Sequence, residues 1–140
     1  MGVEVVRFAQ DRLKPEYGLV AQRLQPWAVC NAPFESAWAV VEPHTESVLH
    51  SHHEHEIFVA VGGECVIECE GERTPFRRGD VAFFKPGLRH HVLNESDANF
   101  EFYSIWWDEE MAATYISRNR AEAGQATGQE AGQEAQEALA

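Results

Sequence analysis

A chain of 140 residues with 44% hydrophobic content supports one domain with a real core and no more. Its formal net charge of -12 speaks against nucleic acid and anionic membrane as partners, because both demand a basic face. The start, "MGVEVVRFAQ", meets charge at Glu4 and Arg7 before an apolar secretion segment can form, and no stretch is apolar enough to span a bilayer, so the expected location is cytoplasmic.

Taken in chain order, residues 1–36 read as an N-terminal arm. "GLVAQRLQPWAVC" offers an edge strand and a loop, and Pro15, Pro26 and Pro33 forbid anything long and regular. Residues 37–117 carry a dominant period of two. "SAWAVVEP", "EIFVAVGG", "ECVIECE", "DVAFFKPG", "HVLNE" and "NFEFYSIWWD" are short β-branched and aromatic runs punctuated by Gly, Pro, Asn and Asp. Short strands at close spacing, with no helical segment between them, predict an all-β sandwich or small barrel. Cys65 and Cys69 sit on one strand with Ile67, roughly 13 Å apart and too far to bridge, so buried free thiols are expected. A short helix is predicted over Asp108–Ser117, where acidic residues open it as the helix dipole favours. From Arg118 to the end, Gly-Gln and Ala-Glu steps recur with no aromatic residue, which predicts a disordered tail or linker over 118–140.

The chemistry concentrates in "HSHHEHE", four histidines and two glutamates in seven residues, His50 to Glu56. Residues i and i+2 of a strand share a face, so His50 and His52 point together. Glu56 returns to that face if the chain bends across His53–His55. His90 follows the turn "KPGLR". His50, His52, Glu56 and His90 can therefore converge inside one barrel as metal ligands. Three neutral imidazoles and a carboxylate suit one divalent first-row ion and leave positions open for substrate or water. His53, His55 and His91 fall on the opposite parity or in the bend, and His44 stands alone after a proline. These four are expected to face solvent or support the site from outside.

These residues carry a family resemblance. His50, His52, Glu56 and Gly63 match the first motif of the cupin superfamily, and Gly79, Gly87, His90 and Asn94 match the second. Lys85 stands where the second motif has proline, with Pro86 beside it. The resemblance covers roughly 37–107 and implies a six-to-eight-stranded double-stranded β-helix, the jelly-roll barrel, with a mononuclear metal. It does not by itself imply a reaction, since one fold hosts many chemistries. Phe58, Phe84 and Trp106 are candidates to line a substrate pocket. Lys85, near the barrel mouth, either attracts a substrate carboxylate or decorates an edge.

A narrower resemblance rests on "LVAQRLQPW", "FESAWAVVEP" and "YSIWWD", which look like the cupin part of bacterial hydrazine synthetases. It implies a methionyl-tRNA-synthetase-like partner that esterifies an amino acid onto an N-hydroxylated amine. The cupin, usually with zinc, then rearranges that ester into an N–N bond. Glu56 is the candidate base in that scheme. Other readings of the same ligands are an Fe(II)-dependent dioxygenase and a non-catalytic small-ligand-binding cupin. Manganese, nickel and cobalt suit the donors as well. Pairing through edge strands suggests a homodimer.

Overall fold

The computed structural model describes residues 2–125. After a short 3-10 helix (Gln10–Arg12) comes a β-hairpin, β1 (Lys14–Glu16) and β2 (Leu19–Arg23), followed by the single-turn helix α1 (Pro26–Cys30). Then come β3 (Glu35–Val41), β4 (Thr45–Glu46), β5 (His55–Gly62), β6 (Glu64–Cys69), β7 (Glu72–Arg77), β8 (Val81–Phe84), β9 (His90–Asn94) and β10 (Phe100–Trp107). Helix α2 (Glu109–Gln125) closes the described chain.

The strands form two antiparallel sheets, one in the order β1-β2-β3-β10-β5-β8 and one in the order β4-β9-β6-β7. Their inner faces enclose Val41, Phe58, Ile67, Phe76, Val92, Phe100 and Phe102, all 6% exposed or less. This is the expected all-β jelly-roll. It has more strands than the expected six to eight because the arm contributes β1 and β2, which extend the larger sheet through the β2–β3 pairing Val20↔Val40 to Arg23↔Ala37. Cys65 and Ile67 are buried on one face of β6, as the alternation predicts, and burial pushes the Cys65 thiol up to about 12. Cys69, at the strand's end, is only half-buried, contrary to expectation.

Two motif residues do structural work. Gly63 turns the chain from one sheet into the other with φ +82°, and a Cβ there would lie 2.5 Å from the Asn99 carbonyl oxygen. Asn94 is 1% exposed with its amide fully used. Its Nδ2 donates to the carbonyls of Val41 (2.9 Å) and Ala98 (2.8 Å), and its Oδ1 accepts from Ser96 N (3.0 Å) and Ser96 Oγ (2.7 Å).

The C-terminal helix differs from expectation. It does not stop at Ser117; it runs to Gln125, through the first eight residues assigned to the tail. Asp108 Oδ1 caps it by accepting from Met111 N at 2.7 Å. Arg118, the first residue of the expected tail, lies over the Trp27 ring at 4.5 Å and donates to Asn31 Oδ1 at 3.0 Å. Once those contacts anchor the helix, Ala, Glu, Gln and Arg extend it at little cost. Residues 126–140 of the expected tail lie outside the described residues. Among those described, no helix is long and apolar enough to cross a membrane.

Candidate metal centre

The larger sheet delivers Glu56 on β5; the histidines arrive from the other side. His50 lies just before the bend and pairs with His90 at the head of β9 through two backbone hydrogen bonds, His90 N to His50 O at 3.0 Å and His50 N to His90 O at 3.3 Å. The turn Lys85-Pro86-Gly87-Leu88 has proline at its second position and Gly87 at φ +85° in its third, the requirements of a type II turn. Gly87 N–H donates to the His52 carbonyl at 2.8 Å, so the same turn that aims His90 also fixes His52.

The result is a cluster in which one nitrogen from each of His50, His52 and His90 lies within 4.8 Å of the others. Every ring is held the same way. Nδ1–H donates to a backbone carbonyl in each case: His50 to Val48 (2.8 Å), His52 to Glu54 (3.1 Å) and His90 to Leu88 (2.9 Å). That arrangement commits each neutral imidazole to present its lone pair at Nε2, as metal-ligating histidines do. Glu56 Oε1 lies 3.0 Å from His52 Nε2 and 3.2 Å from His90 Nε2, while Oε2 accepts from Ser104 Oγ at 2.8 Å. A lone pair facing a carboxylate oxygen at such distances is repulsive unless a cation sits between them, either protons or a metal ion. The donor set therefore fits a divalent ion.

Burial alone would push the Glu56 carboxyl up, but hydrogen bonds from His52, His90 and Ser104 outweigh it and hold the group at about 2. His52 moves the opposite way. Its bond to Glu56 raises it against the effect of burial. The sign of the linkage follows for the metal-free protein. Glu56, depressed from 4.5, stabilises the fold above pH 4.5 and loses that contribution as pH falls toward 2. His52, raised from 6.5, stabilises below pH 6.5 and loses its share as pH climbs through its folded value. Urea unfolding of metal-free protein is expected to show an acid loss of up to about 3 kcal/mol that is absent in Glu56→Gln. Equal acid sensitivity in that variant would contradict the assignment.

The cluster lines a cavity of about 170 Å³ that is partly open to solvent. Phe58 and Trp106 line it. Phe84 does not; it is buried behind the site and stacks on His90, centroids 4.3 Å apart. Lys85 also stays out of the lining, because it occupies the exposed first position of the turn. The outward histidines are all placed elsewhere. His53 contacts Asp108 (3.1 Å), His55 stacks on Trp107 (5.3 Å), His44 contacts Asp97 (2.7 Å) and His91 approaches Glu68 (3.4 Å).

Sequence reasoning missed the cavity's outer wall. Glu16, Tyr17 and Arg23 belong to the β1–β2 hairpin and line it. Tyr17 and Gly18 take φ +52° and +80°, the left-handed pair of a tight hairpin turn that ordinarily holds Asn-Gly. Tyr17 bears that strain with its ring stacked on His50, centroids 5.0 Å apart and planes 14° apart. Its carbonyl accepts from Val48 N at 2.7 Å, which docks the hairpin onto the segment that leads into His50. Alternation marks β2, but only the long-range pairing with β3 brings it to the site.

The family model for the cupin domain matches residues 37–106. This chain belongs to the cupin family. A cupin 2 conserved barrel domain protein from Salinispora arenicola is 41% identical, with 84% of this chain and 99% of that one covered at a TM-score of 0.79. A protein from Photorhabdus luminescens is 36% identical over 84% of this chain and 98% of its own, at 0.78. A cupin-fold protein from Thermotoga maritima, described as a predicted oxalate decarboxylase, is 25% identical over 64% of this chain and 79% of that one, at 0.59. The cupin match begins at residue 37, so Glu16, Tyr17 and Arg23 lie outside it.

Proposed function

We propose that this cupin is a metal-dependent enzyme acting on a small molecule, with one divalent ion held by His50, His52, His90 and Glu56. The observation that carries the reading is the common tether of the three rings: each Nδ1 is bound to a backbone carbonyl, which leaves three Nε2 atoms to converge beside a cavity. Bound there, the ion supplies Lewis acidity and a template for the substrate. Zinc is the ion assigned under the reaction below, and the Irving–Williams order admits iron, manganese, nickel or cobalt to the same donors.

The chain's own residues divide the remaining work. Ser104 holds one oxygen of Glu56 and orients its carboxylate. A carboxyl held ionised down to about 2 is a good ligand and a weak base, which favours the ligand role of Glu56 over its role in proton transfer. Phe58, Phe102 and Trp106 give the cavity an apolar wall that excludes water and confines the substrate.

The reaction we assign is rearrangement of an aminoacyl ester of an N-hydroxylated amine into an N–N bond, with the ester made by a methionyl-tRNA-synthetase-like partner. Placement supports it. The three stretches that resemble hydrazine synthetase cupins contribute Leu19, Ala21 and Arg23 from β2, Ala37 and Ala39 from β3, and Ser104 and Trp106 from β10. These strands are neighbours, so the resembling residues form one wall of the cavity. The test combines this chain with such a partner, an amino acid, ATP and N-hydroxylysine. A hydrazine product that disappears in His50→Ala is expected. Stoichiometric iron with substrate-dependent oxygen uptake would replace this reading with a dioxygenase, and activity indifferent to His50→Ala would leave a binding module.

A further inference from the structure

The charged residues lining the cavity are Glu16, Arg23, Glu54 and Glu56, besides the histidines, so Arg23 is the only Lys or Arg among the described lining residues. Its setting is fixed on two sides. The guanidinium lies over Trp106, 5.3 Å from the ring centre. Its Nε donates to both oxygens of Glu16 at 3.1 and 3.3 Å, and Nη2 donates to Glu16 Oε1. A guanidinium carries five N–H donors in a flat fork with two usable edges. Glu16 occupies the Nε/Nη2 edge. The Nη1 hydrogens and the second Nη2 hydrogen have no partner among the described residues. Arg23 is therefore oriented by the Glu16 carboxylate, with the Glu35 charge also acting on it, and retains a second edge without a hydrogen-bond partner that matches another carboxylate. Its side chain is 51% exposed, so that edge is open to a solute.

Its position relative to the metal cluster follows from register. Phe58 pairs with Ser104, Ser104 with Ala37, and Ala37 with Arg23. All four line the cavity and form one row across β5, β10, β3 and β2. Three strand spacings make that row about 14 Å long at the backbone. The Arg23 side chain folds back over Trp106, whose backbone partner on β5 is Glu56. The gap from the metal ligands to the open edge is thus bridged by a chain of a few bonds. Ala21, Ala37 and Ala39 keep the floor between them low and apolar.

We infer that Arg23 is the substrate-recognition residue of this site: it binds a carboxylate at the far end of a substrate whose other end reaches the metal, and Glu16 holds it in position. This rests on the metal-dependent reading above and names its substrate class, a small bifunctional molecule with an apolar middle and a terminal carboxylate. It gives the hairpin outside the matched cupin domain a specificity role, and transfers to Arg23 the task considered for Lys85.

The test uses full-length, zinc-loaded protein and hydroxamates, which chelate divalent ions. Alkyl monohydroxamates of graded length are compared in pairs, the far end being carboxylate in one and primary amide in the other. Wild type is expected to favour the carboxylate by about tenfold or more at the best length, and Arg23→Gln to reduce the ratio below about twofold. Arg23→Lys, which keeps the charge and loses the fork, is expected to fall between them. Thermal melts establish that the variants fold. Equal affinity for carboxylate and amide in wild type, or an undiminished preference in Arg23→Gln, would overturn the inference. Acetohydroxamate, which has no carboxylate, separates the two readings, since its failure to bind zinc-loaded protein defeats the metal centre alone. Arg23 is then decided in metal-free protein by hexanoate against hexanamide, read by tryptophan fluorescence. A preference for hexanoate that depends on Arg23 supports the inference, and no preference overturns it.

Discussion

His90→Ala is expected to weaken zinc binding by more than about 100-fold and to destabilise the metal-free fold by about 2–3 kcal/mol. Both effects have visible causes. The His90 ring is 2% exposed, packed flat on Phe84 at 4.3 Å and edge-on to Phe58 at 6.1 Å, so truncation leaves a hole among aromatics. Where a proton bridges His90 and Glu56, truncation also removes a partner of the half-buried Glu56 carboxylate at 3.2 Å, which adds to the cost. Zinc affinity falls because one of three converging nitrogens is gone. His53→Ala and His55→Ala are the matched controls. Their rings contact Asp108 and Trp107, so zinc affinity should not change. Calorimetric zinc titration and urea unfolding measure the two effects. A His53 variant as impaired as the His90 variant would contradict the division of the histidines.

Gly63→Ala is expected to cost on the order of 3 kcal/mol, from two penalties at one position. The backbone sits at φ +82°, where a side chain is strained by about 1–2 kcal/mol. The added methyl would also meet the Asn99 carbonyl oxygen at 2.5 Å, and that atom is backbone leading into β10. Relief requires β10 to move, and β10 carries Ser104 and Trp106 at the site. Gly71→Ala is the comparison, with a similar φ of +81° and nothing within 4 Å of its Cβ, so it should show the strain alone. Denaturant midpoints that fail to separate the two variants would show that the close approach to Asn99 is unimportant.

The parts of the site legible in the sequence are those set by local rules. Alternation along β5 separates Glu56 from His55, and the Pro86-Gly87 turn announces His90, because both depend only on neighbouring residues. His50 and His52 precede the bend at His53 and Glu54 and lie outside the named strands, so strand parity is not what brings them together. The fold follows for the same reason, from alternation and turn residues. Arg23 was not legible. It reaches the cavity through β2–β3 pairing, and a register set by long-range contacts leaves no local trace. Lys85 shows the converse: its place inside a motif suggested the cavity, yet position one of a turn directs it to solvent. The helix extends past its predicted end because Trp27 and Asn31, about ninety residues earlier, anchor Arg118, a contact to which the Gly and Gln of the local sequence give no clue.

The central claim is that His50, His52 and His90 hold one metal ion. Metal analysis of the chain purified without chelator, beside the variant with all three changed to alanine, tests it most directly. The account predicts about one divalent ion per chain in the wild type and almost none in the variant. A wild type that retains no metal and takes none up from excess zinc, or a variant that retains as much, would contradict it.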